Sequence, residues 1–333
     1  MTSNFFKGKE VLVAGGTGMI GRPLVEMLLE RSARVRVASK DNPDRANPNA
    51  EFIQCDLTRP DDCKRICEGI DMVFNLLCTK GSPSTCQTNP LDYFEPMLLY
   101  NTLLMQAAYH AGVKSFLFTS SVCVYPPSET FYENDPLDRP PSPNDPGAGW
   151  AKRMGELQAK FYFKQYGWRV AIVRPANVYG PYDNFNRFNS MVVPSLIRRA
   201  AEAEDKIVLD SDGTTIRDFI YCDDVARGML LTVEKQLDQN YPINLGSGAG
   251  VTIRELVETI VRISGKKLKI VFDSSKPSGD KKRVFDIAQA RAIGFTPQVS
   301  LEEGIARTYH WYVDNRETAD SRYDVFNRPP SSK

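Results

Sequence analysis

The stretch Ala14-Gly15-Gly16-Thr17-Gly18-Met19-Ile20-Gly21 constrains this chain more than any other. It follows the apolar run Val11-Leu12-Val13 and precedes a helical pattern, Pro23-Leu24-Val25-Glu26-Met27-Leu28-Leu29. Strand, glycine turn and helix in that order build a phosphate cradle. Glycine permits the tight turn and a close backbone approach, and the free N–H groups at the helix start receive a pyrophosphate. Gly15, Gly18 and Gly21 are three apart, G-x-x-G-x-x-G rather than G-x-G-x-x-G, with Met19 and Ile20 inside the turn. An ordinary strand-to-helix turn is the bland alternative. Placement within the first 21 residues, between a strand and a helix, favours a nicotinamide-dinucleotide site.

At 333 residues the chain has room for one large α/β domain with an appended lobe, or for two domains. A net charge of +1 argues against a nucleic-acid or acidic-membrane partner. No apolar run approaches the ~20 residues of a membrane span, and the start lacks the apolar segment of a secretory signal. A cytoplasmic protein is expected. Seven cysteines without a C-x-x-C pair read as reduced thiols rather than a disulfide framework. With only His110 and His310, and no acidic ligands clustered around them, no metal site is expected.

Strand candidates at 10–14, 34–38, 51–53, 71–77, 115–119 and 169–173 alternate with helical patterns near 19–31, 60–68, 95–111 and 149–166. The alternation predicts a doubly wound parallel sheet of the Rossmann type, with helices on both faces. Residues 126–147 hold seven of the 22 prolines and read as a loop, either a substrate flap or a plain connector. Beyond residue 177, helices near 190–204, 222–235 and 253–264 and short strands at 206–209, 217–220 and 241–244 predict a smaller lobe. Thr252-x-x-Glu255 and Ser300-x-x-Glu303 read as capping boxes. The division expected is a dinucleotide-binding domain over 1–176, a mixed α/β substrate-binding lobe over 177–320 with elements returning to the sheet, and a tail over 321–333.

The second strand ends in Ser39-Lys40, where an acidic residue would bond a free ribose 2′-OH. A hydroxyl followed by a cation suits a 2′-phosphate, so NADP(H) is favoured over NAD(H), although Asp41 lies one residue on. Asp56, followed by Leu57, is placed either to accept from an adenine amino group or to cap its own turn.

Four further stretches occur in order: Thr119-Ser120-Ser121-Val122-Cys123-Val124-Tyr125-Pro126, Gly149-Trp150-Ala151-Lys152, Arg174-Pro175-Ala176-Asn177-Val178-Tyr179-Gly180-Pro181, and Ile216-Arg217-Asp218-Phe219-Ile220. With them the chain, from about 9 to 315, resembles the extended short-chain dehydrogenase/reductase family of nucleotide-sugar epimerases and dehydratases. Tyr179-Gly180-Pro181-Tyr182-Asp183-Asn184-Phe185, Lys276-Pro277-Ser278-Gly279 and the Ser121-x-Cys123 arrangement look most like its GDP-fucose synthase branch.

The resemblance implies hydride transfer at the nicotinamide, with Ser121 orienting a sugar oxygen and Lys152 serving both catalysis and the nicotinamide ribose. Pro175 would line the cofactor. Asn177, Arg217, Lys282 and Arg283 would hold a substrate diphosphate, arginine being suited by its two-pronged fork, with a charged surface face the alternative for Lys281 and Lys282. It also implies a homodimer through the 95–111 and 149–166 helices, with Tyr100, Leu104, Phe161 and Phe163 among the candidates.

Two positions depart from the branch. Its epimerisation histidine falls on Met191, and the tyrosine expected four residues before Lys152 falls on Ala148. Alanine transfers no proton. Either Ala148 is an engineered change, or another group (Tyr125, a water or the Cys123 thiol) carries the proton, or the substrate arrives as a 4-ketone and only epimerises. In the last case Cys123 would be the base, its pKa lowered by the nicotinamide or Lys152. A small buried hydrophobe is the alternative reading of Cys123, packing under the loop that of Tyr125, and a catalytically impaired binding protein that of the whole chain.

Overall fold

The computed structural model describes residues 4–236, 241–273, 275 and 280–319. In the first half β1 (Glu10–Ala14), β2 (Arg34–Ser39), β3 (Glu51–Gln54), β4 (Met72–Asn75), β5 (Ser115–Thr119) and β6 (Thr130–Phe131) are interleaved with α1 (Gly21–Glu30), α2 (Pro60–Cys67), α3 (Pro83–Thr88) and α4 (Pro90–His110). There follow α5 (Pro146–Tyr166), β7 (Val170–Pro175), β8 (Asn177–Tyr179), α6 (Val192–Glu202), β9 (Lys206–Leu209), β10 (Ile216–Tyr221) and α7 (Cys222–Gln236). The last elements are β11 (Pro242–Leu245), β12 (Gly250–Thr252), α8 (Ile253–Ser264), β13 (Lys269–Phe272), β14 (Lys282–Phe285), α9 (Ala288–Ala292) and α10 (Leu301–Asp314).

Seven strands form one parallel sheet in the order β11-β7-β5-β4-β1-β2-β3. β5 and β7 are buried at every position, which is why their sequences read as unbroken apolar runs rather than alternations. One face is covered by α1 and α7, whose Val25, Leu28, Met229 and Leu230 join Val13 and Val173 in a core. On the other, α2, α4 and α5 bring Ile66, Leu104, Met105 and Ala151 against Leu12 and Phe118. The chain leaves the sheet after β7, and β11 returns to its edge. A separate core of Leu196, Ile197, Phe219, Leu256 and Ile260 binds α6, α8 and α10 around β10. Among the described residues no helix is long and apolar enough to cross a membrane.

The stretch 126–147 is no free flap. Its Thr130 and Phe131 pair with Val284 and Phe285 of β14. The buried Arg153 donates to the carbonyls of Val124, Leu137 and Arg139 at 2.8, 3.1 and 2.7 Å, stitching both ends of the loop to α5. Helix α5 also starts three residues before the expected 149, with Pro146 at its first position, where a missing N–H costs nothing. Tyr100 and Leu104 face the core and are 7% and 0% exposed, so they cannot join a dimer surface, whereas Phe161 and Phe163 are exposed. Thr252 and Glu255 form the expected capping box; Ser300 caps α10 by accepting from the Glu303 N–H. Lys276–Gly279 and the tail over 321–333 lie outside the described residues.

Candidate active site

The glycine turn sits at the carboxyl end of β1, next to the ends of β2 and β4. Gly15 adopts φ +84°, a backbone conformation that side chains resist. A Cβ at Gly21 would lie 2.3 Å from the Gly15 carbonyl oxygen, so α1 approaches the turn as closely as only glycine allows. The shape left over is a cradle for a dinucleotide pyrophosphate at a helix N-terminus. Gly15 and Gly18 line a cleft of about 220 Å³ that continues past Ser39, Lys40, Asp56 and Leu57. Met19 and Ile20 shape the turn without lining that cleft: Met19 packs towards the C-terminal lobe and Ile20 against the sheet. Pro175, buried at the end of β7, pairs with Leu245 of β11.

At the far end of the cleft, charges are balanced in pairs. Lys40 meets Asp56 at 2.8 Å, and Asp56 also accepts from the backbone N–H and hydroxyl of Thr58. Asp56 thus caps its own turn. Burial would raise its pKa, but the bonds from Lys40 and Thr58 prevail and hold it below the usual range. Thr17 joins Ser39 at 2.9 Å and donates to Asp41 at 2.8 Å. Arg45, which the sequence reading missed, comes within 3.7 Å of Asp41 and adds a second cation to this end. Nothing in its spacing from the glycines announced it.

The reactive corner adjoins the cleft at Leu77, a lining residue whose carbonyl accepts from Lys152. Ser121 starts a short turn after β5, and its hydroxyl accepts from the Cys123 N–H at 3.3 Å. Lys152, 1% exposed, donates to the carbonyls of Leu77 and Thr119 at 3.0 and 2.7 Å. Burial lowers its pKa. Ala148 stands one helical turn before it, half-buried. Of the two activators expected for Cys123, Lys152 offsets little: burial pushes the thiol up to about 12, and Asp145 pushes the same way. Tyr125, also considered as a proton carrier, is fully buried, accepts from Arg174 at 2.8 Å and donates to Asn244 at 2.7 Å. Its hydroxyl is spent on structure. All seven cysteines are free thiols.

Among the proposed substrate residues, Arg217 and Arg283 are register partners on the parallel strands β10 and β14, and therefore share a sheet face. Burial, then the neighbouring Arg283 charge, brings Arg217 down to about 10. The Arg217 guanidinium donates to the carbonyls of Ile216 and Asp280, while a buried nitrogen of Arg283 has no partner. Arg283 also lies 3.9 Å from the Asp280 carboxylate, which balances part of the paired positive charge. Lys282 does not join them, because period-two alternation turns it to the opposite face. The Asn177 amide is engaged with the Asp218 carbonyl at 2.9 Å. Met191 caps α6 with extended backbone and no side-chain bond. Lys80 and Tyr182, also unforeseen, reach the cleft from loops after β4 and β8, Tyr182 stacked 3.8 Å under the Arg22 guanidinium.

Known proteins share this architecture. GDP-L-fucose synthase of Escherichia coli (strain K12) is 31% identical over 326 residues, covering 93% of this chain and 98% of that protein. GDP-L-fucose synthase 1 of Arabidopsis thaliana is 32% identical, covering 93% and 94%. Among solved structures, an epimerase from Methanothermobacter thermautotrophicus superposes with a TM-score of 0.83 at 25% identity, with 96% of each chain covered. The UDP-glucose 4-epimerase of Thermotoga maritima, solved with UDP-glucose, gives 0.80 at 28%, covering 92% and 99%. Residues 11–246 match the NAD dependent epimerase/dehydratase family, to which this chain belongs.

Proposed function

We propose that this protein is an NADP(H)-dependent epimerase or reductase of a nucleotide-diphosphate sugar, a GDP-linked 4-keto sugar being the best fit. The observation that carries the reading is the buried Arg217–Arg283 pair, which keeps an unbonded Arg283 nitrogen for an anion beside its ion pair with Asp280. The GDP-L-fucose synthases that match over most of the chain support guanosine as the base. Bound nicotinamide would supply or accept hydride. The glycine turn would hold its pyrophosphate, Ser39, Lys40 and Arg45 its 2′-phosphate, and Lys152 its ribose. Ser121 would orient the sugar carbonyl. A non-catalytic binding protein is the second reading, favoured by alanine at position 148 and methionine at 191.

Thermal-shift titration with GDP-, UDP- and dTDP-linked sugars, with NADPH or NADH present, tests the proposal. A shift with a GDP-sugar, followed by NADPH oxidation on its 4-keto form, is expected. Shifts without any turnover or solvent deuterium uptake would leave the second reading. We also assign the protein to a homodimer. Trp150, Met154, Leu157 and Phe161 form an exposed apolar stripe along α5, with Leu91 and Leu99 exposed on α4, which suits a two-fold helix pairing. Light scattering that gives the 37.4 kDa of one chain at micromolar concentration would refute it.

A further inference from the structure

The loop after β8 reaches across the cofactor cleft. Because β1 and β4 are neighbours in the sheet, the cleft runs between the glycine turn that follows the one and the loop that follows the other. Tyr182 and Asp183, adjacent in the loop after β8, each grip one of these walls.

The Tyr182 ring lies 3.8 Å from the Arg22 guanidinium, at the start of α1. That guanidinium is fixed in turn by bonds to the carbonyls of Thr17, inside the glycine turn, and Arg45. On the other wall Lys80, from the loop after β4, reaches the Asp183 carboxylate at 3.3 Å and the Val178 carbonyl at 3.4 Å. The loop has its own anchor in the C-terminal lobe. Phe185, fully buried, stacks on Tyr312 of α10 at 4.6 Å, and Trp311 of the same helix meets Tyr182 at 4.6 Å. A segment rooted in one lobe and fastened to both walls of the cleft bridges it.

The bridge is held under tension at both fastenings. Gly180-Pro181-Tyr182-Asp183 is a turn closed by the Asp183 N–H donating to the Gly180 carbonyl at 3.3 Å. Its third position has φ +63°, a place for glycine or asparagine. A tyrosine there is strained, and the contacts of its ring offset the strain. The Asp183 fastening is incomplete: the side chain is buried, and its second carboxylate oxygen has no hydrogen-bond partner. Strained at one point and under-bonded at the other, the bridge opens more readily than a fully bonded one.

We propose that Tyr182 and Asp183 form a clasp across the dinucleotide cleft, so that cofactor enters and leaves only when the Arg22–Tyr182 and Lys80–Asp183 fastenings part. The inference rests on the dinucleotide reading of the cleft and not on the identity of the sugar. Both residues set how fast the cofactor exchanges rather than how tightly it is held. A reductive turnover needs one such exchange, so opening of the clasp sets a ceiling on its rate.

Stopped-flow fluorescence of NADPH on the full chain tests this, with association followed on mixing and release followed by a chase of NADP⁺. The proteins compared are wild type, Tyr182→Phe, Tyr182→Asn, Tyr182→Gly and Asp183→Asn. Asparagine and glycine accept the positive φ, so each removes the ring without unseating the turn, and either one serves if the other folds poorly. Loss of the cation–π contact should speed association and release together by about 3- to 30-fold, leaving the dissociation constant within about threefold. Phenylalanine keeps the ring face and should leave both rates within about 1.5-fold of wild type. Asp183→Asn, which discharges the second fastening, should move both rates in the same direction as Tyr182→Asn.

Ring-less variants whose two rates stay within about twofold of wild type overturn the proposal. So do ring-less variants in which release alone rises, the mark of a lost binding contact instead of an opened clasp. A wild type that binds neither NADPH nor NADH is a different failure, which removes the dinucleotide reading and the clasp with it.

Discussion

Removing the charge of Glu156 should be the most damaging conservative change in the chain. Its carboxylate takes two bonds from Arg174, at 2.9 and 2.7 Å, and a third from the Ser120 hydroxyl. The two side chains are 3% and 2% exposed, and Arg174 goes on to Tyr125 and the Glu133 carbonyl. Glu156→Gln keeps the shape and most of the hydrogen bonding but leaves a buried guanidinium without a counter-charge. Uncompensated burial of that kind costs about 3–5 kcal/mol. At about 2 °C per kcal/mol for a chain of this size, the melting temperature should fall by roughly 6–10 °C. Glu156→Gln/Arg174→Met, which removes both charges, should recover at least half of the loss.

Burial would raise the Glu156 pKa, but Arg174 and Ser120 prevail and hold it below the usual glutamate range. A depressed carboxylate stabilises the fold above its unfolded pKa and loses that contribution as pH falls through the folded one. The gap between wild type and variant should therefore be flat from neutrality to about pH 5 and close only in acid. Urea unfolding at several pH values with an unchanged slope measures it. A Glu156→Gln variant within about 1 kcal/mol of wild type, or a double variant no more stable than the single, would refute the reasoning. The same network lies under the reactive corner, since Ser120 precedes Ser121, so the variant should also lower kcat at temperatures where it is fully folded.

Arg217→Ala and Arg283→Ala should each weaken GDP binding about 10–100-fold by calorimetry, as expected for one charged hydrogen bond of about 1.5–3 kcal/mol; Lys282→Ala, on the opposite face, should not. Lys40→Asp should lower NADPH affinity relative to NADH in competitive titration, and Arg45→Ala should act in the same direction. Equal affinities in the wild type would sink the NADP(H) assignment. Gly21→Ala places a Cβ against backbone that cannot yield, so it should abolish the thermal shift caused by either cofactor while barely altering the shift caused by GDP.

The sheet was legible because buried parallel strands advertise themselves: Val11-Leu12-Val13 and Phe116-Leu117-Phe118 are apolar on both faces, the first followed and the second preceded by a helical period. Strands β6, β8, β12, β13 and β14 were not, since three or four residues, or only two in β6, give too short a pattern. Their pairing is set by partners distant in the chain, more than a hundred residues away in the case of Phe131 and Phe285. Long-range geometry likewise decided which cations mattered. Adjacent in sequence, Lys282 and Arg283 looked interchangeable, but strand alternation sends only Arg283 to Arg217.

The reactive corner shows how an error of one helical turn conceals chemistry. Read from 149, helix α5 keeps Lys152 and loses Ala148 and the turn before it to the proline-rich loop. Pro146-Gly147-Ala148-Gly149 discouraged an earlier start, because glycine lowers helix propensity by about 1 kcal/mol per residue. Tertiary contact overrides that preference. Gly147 and Gly149 fit where a Cβ would strike the Pro90 and Cys123 carbonyl oxygens, so the residues that weaken the helix are the ones that let it dock. Once docked, the helix gains a turn, and that turn carries Ala148 one helical turn before the lysine.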